Sequence, residues 1–171
     1  MKYLLLVVGI SAATTPMPAG MLRASWGAGK VVVASFQLKP EAAKQIAVLL
    51  TACSPSEVRF ELELRQNRRY WPDSVVARTL VRNNVRCEAD SFRNLTRVID
   101  GVVVERKTTP DLDEVLSFVS STGVFSAFPG LTNSASLLSY SITLNSTVLS
   151  NNREGLSALR LAQTALSPRD E

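Results

Sequence analysis

The chain has 171 residues, of which 46% are hydrophobic and 20% charged, so its composition is that of a single globular domain with a sizeable core. Its net charge of +4 is too small to indicate a dedicated nucleic-acid-binding protein. It has no histidine and only two cysteines, which excludes Ser-His-Asp and Cys-His catalysis, His-dependent metal sites and a four-cysteine metal site within one chain. The sequence therefore predicts no cofactor and no metal.

Residues 1–13 have the pattern of a secretory signal peptide. Lys2 precedes an apolar run, Leu4–Ile10, and Ser11 and Ala13 supply small residues before a predicted cleavage site. The alternative is an uncleaved anchor or a buried strand. The sequence thus predicts an exported protein, periplasmic or extracellular.

Residues 14–29 are rich in Pro, Gly and Ala and indicate a linker ahead of a single β-rich domain at 30–167. Pro16 and Pro18 come too early for a spanning helix of about 20 residues. We therefore expect no stable membrane span after signal cleavage.

The first half of the domain combines strand and helix patterns. Lys30–Leu38 is β-branched at its start and alternates later, which predicts a strand. Pro40 suits the first turn of a helix that ends at Ser54–Pro55. Val58–Leu64 alternates strictly between apolar and charged residues, which is typical of a half-buried antiparallel strand. Ser74–Ala89 resumes this alternation, and its length predicts a bend or bulge.

The predicted bulge lies near Asn83–Asn84. Further along, Phe92–Ile99 and Val102–Lys107 flank Asp100-Gly101. This dipeptide is the strongest short signal for a β-hairpin, because both turn residues adopt positive φ.

The last third of the chain returns to mixed patterns. Thr109, followed by Pro110, predicts the start of a helix that stops at Gly123. A loop is expected at Val124–Asn133. The pattern then predicts a half-exposed strand at Leu138–Val148, a cap-like Asn151 with Glu154 three residues later, and a weakly amphipathic helix that ends at Pro168.

Together these elements predict a mainly β fold with added helices (α+β). The expected architecture is an antiparallel β-sandwich-like domain with two or three peripheral helices.

Three stretches resemble a family of exported bacterial proteins of unknown function. They are FELELRQNRRYWPD (Phe60–Asp73), NNVRCEADSFRNLTRVIDG (Asn83–Gly101) and TTPDLDEVLSFVS (Thr108–Ser120), and the resemblance covers about Val31–Leu149. The shared features are an apolar/charged strand, an arginine–Trp–Asp turn between strands and a short helix before the last strands. The resemblance implies a β-rich domain outside the cytoplasm and carries no activity with it.

Arginines dominate the polar side of the two alternating strands and are the candidate binding residues. On the strands they are Arg59, Arg65, Arg78, Arg82 and Arg86, and at the turn between the strands they are Arg68 and Arg69. Guanidinium groups suit the phosphate or carboxylate groups of an anionic partner. The alternative is a solvated sheet face with cross-strand ion pairs worth about 0.2–1 kcal/mol each.

Two further features allow two interpretations each. Trp71, within Tyr70–Asp73, is either part of an aromatic binding platform or a plug at the end of the sandwich. Cys53 and Cys87 are an even count in an export context, and they form either a disulfide worth roughly 3–4 kcal/mol or two separate buried thiols.

The sequence favours a non-catalytic exported envelope protein. Its arginine-rich sheet face would serve binding or assembly with an envelope protein or an anionic envelope component, and no nucleic acid is expected. One alternative is an envelope hydrolase with paired carboxylates near Asp73 and Glu88. Another is a structural subunit that assembles through an edge strand, predicted at Ser139–Leu149.

Overall fold

The computed structural model describes residues 20–26, 32–51, 53–66, 70, 72, 74–88, 92–128, 140–152 and 155–166. Within these ranges the chain forms nine strands and two helices. The strands are β1 (Gly20–Trp26), β2 (Val32–Leu38), β3 (Ser56–Gln66), β4 (Ser74–Cys87), β5 (Arg93–Ile99), β6 (Val102–Thr109), β7 (Ser121–Ala127), β8 (Tyr140–Asn152) and β9 (Gly155–Leu166). The helices are α1 (Pro40–Thr51) and α2 (Leu112–Val119).

The strands form two antiparallel sheets, which confirms the predicted β-sandwich-like α+β fold. The small sheet has the order β1-β2-β7, and the large sheet has the order β6-β5-β4-β3-β8-β9. Helix α1 connects β2 of the small sheet to β3 of the large sheet, and α2 connects β6 of the large sheet to β7 of the small sheet. Each helix therefore lies in a connection between the two sheets. None of the helices in these ranges is long and apolar enough to cross a membrane.

Strict alternation in β3 creates the centre of the core. Val58, Phe60, Leu62 and Leu64 are at most 1% exposed, as their spacing predicts. Phe60 meets Phe36 of the small sheet with ring centroids 5.5 Å apart. Because a pleated strand sends alternate side chains to opposite faces, burying these residues leaves the charged residues of β3 on the outer face of the large sheet.

The hairpin between β5 and β6 has the predicted turn. Asp100 and Gly101 both have positive φ, at 47° and 88°. The Asp100 carboxylate also accepts a hydrogen bond from the Leu80 N–H at 2.8 Å, and the Asp100 N–H donates to the Leu80 carbonyl at 3.0 Å. The turn is therefore attached to the neighbouring strand β4 as well as closing its own hairpin.

Helix α1 begins at Pro40, as predicted, and a disulfide holds the segment that follows it. Cys53 and Cys87 are bonded, with Cα atoms 5.6 Å apart. The bridge joins the end of the α1 segment to the end of β4 and closes a loop across 34 positions of sequence. The described residues contain no free cysteine.

Helix α2 starts and stops at different residues from those predicted. Asp111 caps it by accepting from the Asp113 N–H at 2.9 Å, whereas the Thr109 hydroxyl accepts from the Asp111 N–H just before the helix. The prediction of Thr109 as the cap was therefore wrong by two residues. Gly123 does have positive φ, at 67°, but it lies in β7 rather than at the helix end.

Several segments predicted to be irregular are strands. The second half of the predicted linker 14–29 contains β1, and the predicted loop Val124–Asn133 begins with the end of β7, which runs to Ala127. Both segments pair with β2, and each lacks a strong pattern of its own, so the neighbouring strand decides their conformation. The rest of that loop, 129–133, lies outside the described residues.

The predicted C-terminal helix is also a strand. Residues 155–166 form β9, which pairs with β8 from Asn152↔Gly155 to Ile142↔Leu166. The leucines and alanines of this segment have good helix propensity, but pairing along nearly the whole of β8 outweighs it. Strand β8, predicted as an edge at Ser139–Leu149, therefore lies between β3 and β9 and is not an edge.

The bulge predicted near Asn83–Asn84 is absent from that position. The register of β3 and β4 is continuous there and shifts instead between Leu64 and Arg65, opposite Ala77 and Val75. Asn83 is instead a regular inward-facing residue with no exposed surface.

Two buried polar side chains join the large sheet to the end of α2. We call Asn83 and Arg97, which are register partners on β4 and β5, the polar clamp. Asn83 donates to the carbonyls of Phe118 and Ser121 at 3.1 and 2.7 Å. Arg97 donates to the Asn83 side-chain oxygen at 3.0 Å, to the same two carbonyls at 3.2 Å each, and to Glu105 at 2.7 Å.

The surroundings of Arg97 explain how the protein accommodates a buried positive charge. Its side chain is 10% exposed and lies 4.4 Å above the Phe118 ring centre, while its partner Glu105 is 44% exposed. Burial lowers the pKa of Arg97 from its usual value, and the charge of Glu105 opposes this shift. A Cβ atom on Gly123 would come within 2.8 Å of the Arg97 guanidinium, so any larger residue there would have to displace the guanidinium.

We predict that Arg97→Met lowers the free energy of unfolding by about 3 kcal/mol, because it leaves the buried side-chain oxygen of Asn83 without its donor and Glu105 without its ion-pair partner. Arg106→Met is the matched control, since Arg106 is an exposed residue of β6 and its loss removes the same charge. The control should change the free energy of unfolding by no more than about 0.5 kcal/mol. Urea unfolding measures both values, and similar losses in the two variants would contradict the role given to the clamp.

Candidate functional site

The predicted arginines come together on the outer face of the large sheet. β3 and β4 are direct neighbours, so their polar sides merge into one surface. We call this surface the arginine face; it consists of Arg59, Arg65, Arg78, Arg82 and Arg86. Arg68, Arg69 and Trp71, which were predicted to extend it, lie outside the described residues.

Glu63 neutralises two of the five arginines. Its carboxylate accepts from Arg65 at 2.6 and 3.2 Å and from Arg78 at 3.0 Å, with a second Arg78 nitrogen 2.9 Å away. Glu63 is buried beneath the two guanidinium groups. The hydrogen bond from Arg65 lowers the pKa of Glu63, burial acts in the opposite direction, and Arg78 lowers it further. This part of the face is an ion-pair network, which agrees with the alternative interpretation of the arginines as members of cross-strand ion pairs.

Arg59 is paired within its own strand. It donates to the Glu57 carboxylate two residues earlier, on the same side of β3. Directly opposite Arg59 on β4 stands Arg82, its register partner. Like charges directly opposite each other on a sheet face are destabilising. The sheet therefore holds two arginines side by side with only one of them neutralised.

Arg82 is the unsatisfied member of this pair. Its Nε is shielded from solvent and has no hydrogen-bond partner, and no ion pair involves Arg82 among the residues that the structure describes. An unpaired buried donor on a charged group costs about 1–3 kcal/mol or more. Arg86, four residues further along β4, is exposed and is likewise outside the ion pairs of the described ranges.

Two shallow cavities flank Arg59 on the arginine face. One, of about 390 Å³, is lined by residues of β3, β4 and β8 and by the hairpin turn: Arg59, Glu61, Arg78, Thr79, Leu80, Asp100, Asn145 and Thr147. The other, of about 240 Å³, extends toward the opposite end of the strands and is lined by Pro55, Ser56, Glu57, Arg59, Asn84, Val85, Arg86 and Leu149. Arg59 lines both, so the two cavities lie on either side of its side chain, and we call them together the groove.

Asn145 and Thr147 are groove residues that were not singled out as candidates from the sequence. They lie on the outer side of β8, which pairs with β3 in the registers Glu61↔Asn145 and Arg59↔Thr147. The alternation of β8 places them on a solvated face, but only the pairing of β8 with β3 brings them beside the arginines. No pattern within either strand specifies that pairing.

The other candidate residues do not assemble into a second site. Glu88 is exposed and accepts a hydrogen bond from the Asn94 amide, while its predicted partner Asp73 lies outside the described residues. The Asp100 carboxylate is engaged by the Leu80 N–H. No group of three or more Cys, Asp or Glu side chains in the ranges described is arranged to hold a metal ion.

Comparison with known proteins finds no relative. No family model matches the chain, and neither a curated protein nor a solved structure matches it. The resemblance to exported proteins of unknown function therefore stays a prediction.

The depressed pKa of Glu63 predicts a specific acid sensitivity. A carboxylate whose pKa is lower in the folded protein contributes its full stabilisation above the unfolded pKa of about 4.3, and this contribution is lost as pH falls through the folded value. We expect Glu63→Gln to lower the free energy of unfolding by about 1–3 kcal/mol at pH 7. Below pH 4.5 or so, the difference between the variant and the wild type should shrink.

The matched control is Glu61→Gln, on the same face of the same strand but exposed and without an ion pair in the described ranges. Urea unfolding at a series of pH values provides the measurement. If the Glu63 and Glu61 variants show the same pH profile, the ion-pair network does not stabilise the sheet.

Proposed function

We propose that the chain is a non-catalytic exported domain that binds an anionic component of the cell envelope on the arginine face. The observation that supports this most directly is Arg82, whose guanidinium stands opposite another arginine with a shielded and unpaired Nε. A fold that only required a stable sheet would place a carboxylate or a neutral residue there. An incoming carboxylate or phosphate would satisfy Arg82 and relieve its repulsion with Arg59.

The difference between paired and unpaired arginines supports the same proposal. Arg65 and Arg78 share Glu63, and this network is already complete without a ligand. Arg82 and Arg86 lie on the same side of β4, four residues or about 13 Å apart. These two positive charges are the part of the face that remains for a partner.

Export is supported by the disulfide as well as by the signal-like residues 1–13. Disulfides persist in oxidising compartments and are rare in reducing ones. The Cys53–Cys87 bridge therefore favours a location outside the cytoplasm.

We expect the protein to bind at least one of three anionic polymers, polyglutamate, polyphosphate or hyaluronan, with an affinity that falls as salt rises. The double variant Arg82→Gln/Arg86→Gln should weaken this binding about tenfold or more, since hydrogen bonds to charged groups are worth about 1.5–3 kcal/mol each. Isothermal titration calorimetry provides the affinities.

The control for this experiment is Arg23→Gln/Arg106→Gln, which removes the same net charge from exposed positions on β1 and β6. Its affinity should stay within about twofold of the wild type if binding is local. Equal weakening in both double variants would mean that only the net charge matters, and the proposed face would be wrong.

A second candidate function, assembly through an edge strand, is supported by β6. This strand ends the large sheet, and Val102, Val103 and Val104 are 65%, 43% and 52% exposed. Among the strands that the structure describes, β6 has a free edge, and an edge with three exposed apolar residues can pair with a second copy of the chain. Glu105, Arg106 and Lys107 follow directly, and charged residues of this kind limit edge pairing.

For this second function we expect sedimentation velocity to show a dimer that grows with protein concentration. Val103→Lys should shift the equilibrium to the monomer, because a charge on the edge opposes strand pairing. Thr108→Lys, at the far end of β6, is the control. A wild-type protein that stays monomeric at every concentration would exclude assembly through β6.

A further inference from the structure

The two cavities of the groove carry unpaired charges of opposite sign. Arg59, which lies between them, donates to the Glu57 carboxylate, so these two charges neutralise each other. The remaining charged residue of the smaller cavity is Arg86, which is exposed and belongs to no ion pair among the residues described. The smaller cavity is therefore the end of the groove that attracts an anion.

Carboxylates supply the unpaired charge of the larger cavity. Arg78, which also lines it, is bound to Glu63. Glu61 is exposed and has no ion-pair partner in the part of the chain that the structure describes. Asp100 accepts a hydrogen bond from the Leu80 N–H, but no described Lys or Arg forms an ion pair with it. This end of the groove therefore attracts a cation.

The register of β3 and β4 determines the distance between these two ends. Glu61 stands opposite Leu80, and Arg86 lies six residues beyond Leu80 on the same side of β4. At about 3.3 Å per residue, the Cα atoms of Glu61 and Arg86 are roughly 20 Å apart along the strands. A ligand that reaches both must therefore be elongated, with a positive charge toward one end and a negative charge toward the other.

An extended peptide meets these requirements. Six residues of extended chain span about 20 Å, and basic and acidic side chains supply the two charges. Asn84, Asn145 and Thr147 line the cavities, and amide and hydroxyl side chains can hydrogen-bond to the N–H and C=O groups of a peptide backbone. A uniformly anionic polymer can contact Arg86 but is repelled by Glu61.

We propose that the groove binds an extended segment of another protein in which a basic and an acidic residue are about six positions apart. The basic side chain lies in the larger cavity beside Glu61 and Asp100, and the acidic side chain lies in the smaller cavity beside Arg86. The backbone between them crosses Arg59. This inference rests on the proposed function, since it names the class of molecule that brings an anionic group to the arginine face.

The test is calorimetric titration of the full chain at low salt with synthetic peptides of serine and threonine whose termini are blocked. One peptide carries a lysine and a glutamate six positions apart, and a second has the same composition with these residues two positions apart. Two further peptides have glutamine in place of the lysine or of the glutamate of the first. We expect the first peptide to bind about fivefold more tightly than the other three, because only it forms both ion pairs.

Substitutions in the protein identify which end of the groove recognises which charge. Glu61→Gln should weaken binding of the first peptide about fivefold and leave the lysine-free peptide unchanged. Arg86→Gln should weaken the first peptide to a similar extent and leave the glutamate-free peptide unchanged. Glu41→Gln on α1 and Arg23→Gln on β1 remove the same charges from exposed positions away from the groove, and they should change no affinity. Circular dichroism checks that all variants are folded.

The outcomes distinguish this inference from the proposed function. Equal affinity for the two spacings, or a Glu61→Gln effect that does not depend on the lysine of the peptide, overturns the assignment of a peptide to the groove. Failure of all four peptides to bind, when an anionic polymer binds and the Arg82→Gln/Arg86→Gln variant weakens it, also overturns the peptide assignment but leaves an anion-binding face. Failure of both the peptides and the anionic polymers overturns both proposals.

Discussion

The polar clamp formed by Asn83 and Arg97 is the interaction on which the arrangement of the sheets depends. Its two side chains donate to the carbonyls of Phe118 and Ser121, and so connect the inner face of the large sheet to the last turn of α2 and to the start of β7. The Phe118 carbonyl is among those that an α-helix leaves unpaired at its C-terminal end. A positive charge at that end also interacts favourably with the helix dipole.

The clamp also determines which side chains of β4 face outward. Side chains of a strand alternate between its two faces, so holding Asn83 inward places Arg82 and Asn84 on the outer face. The burial of Val81 and Val85 and the hydrogen bond that Thr79 accepts from the Phe128 N–H act in the same direction. The buried polar contacts and the proposed binding surface are thus two sides of one strand, and a slip of one residue would invert both.

The sequence predicts those parts of the fold in which a local pattern and its physical cause coincide. Alternation in β3 places Phe60 and Leu62 in the core, and Asp100-Gly101 forms the expected turn because both residues have positive φ. The strand β9 was mistaken for a helix because its leucines and alanines suit either structure, and only pairing with β8 decides between them.

The candidate site, too, can be predicted only where a local sequence pattern determines it. The arginines of β3 and β4 could be placed on one face from alternation and from the closeness of the two strands in sequence. The role of Glu63 could not be predicted, since it depends on the distance between its carboxylate and two guanidinium groups. Arg97 was missed as well, because it is a charged residue on the inner side of a strand, and its partners lie 21 and 24 residues away in sequence.

A double-mutant cycle on the polar clamp tests this account most directly. Asn83→Ala, Arg97→Met and the double variant are unfolded in urea, and the coupling energy is obtained from the three changes in the free energy of unfolding. Residues that share buried partners should be coupled, so we expect the double variant to lose at least about 1 kcal/mol less than the sum of the single losses. Losses that add to within about 0.5 kcal/mol would show that the two side chains act independently, and would contradict the clamp.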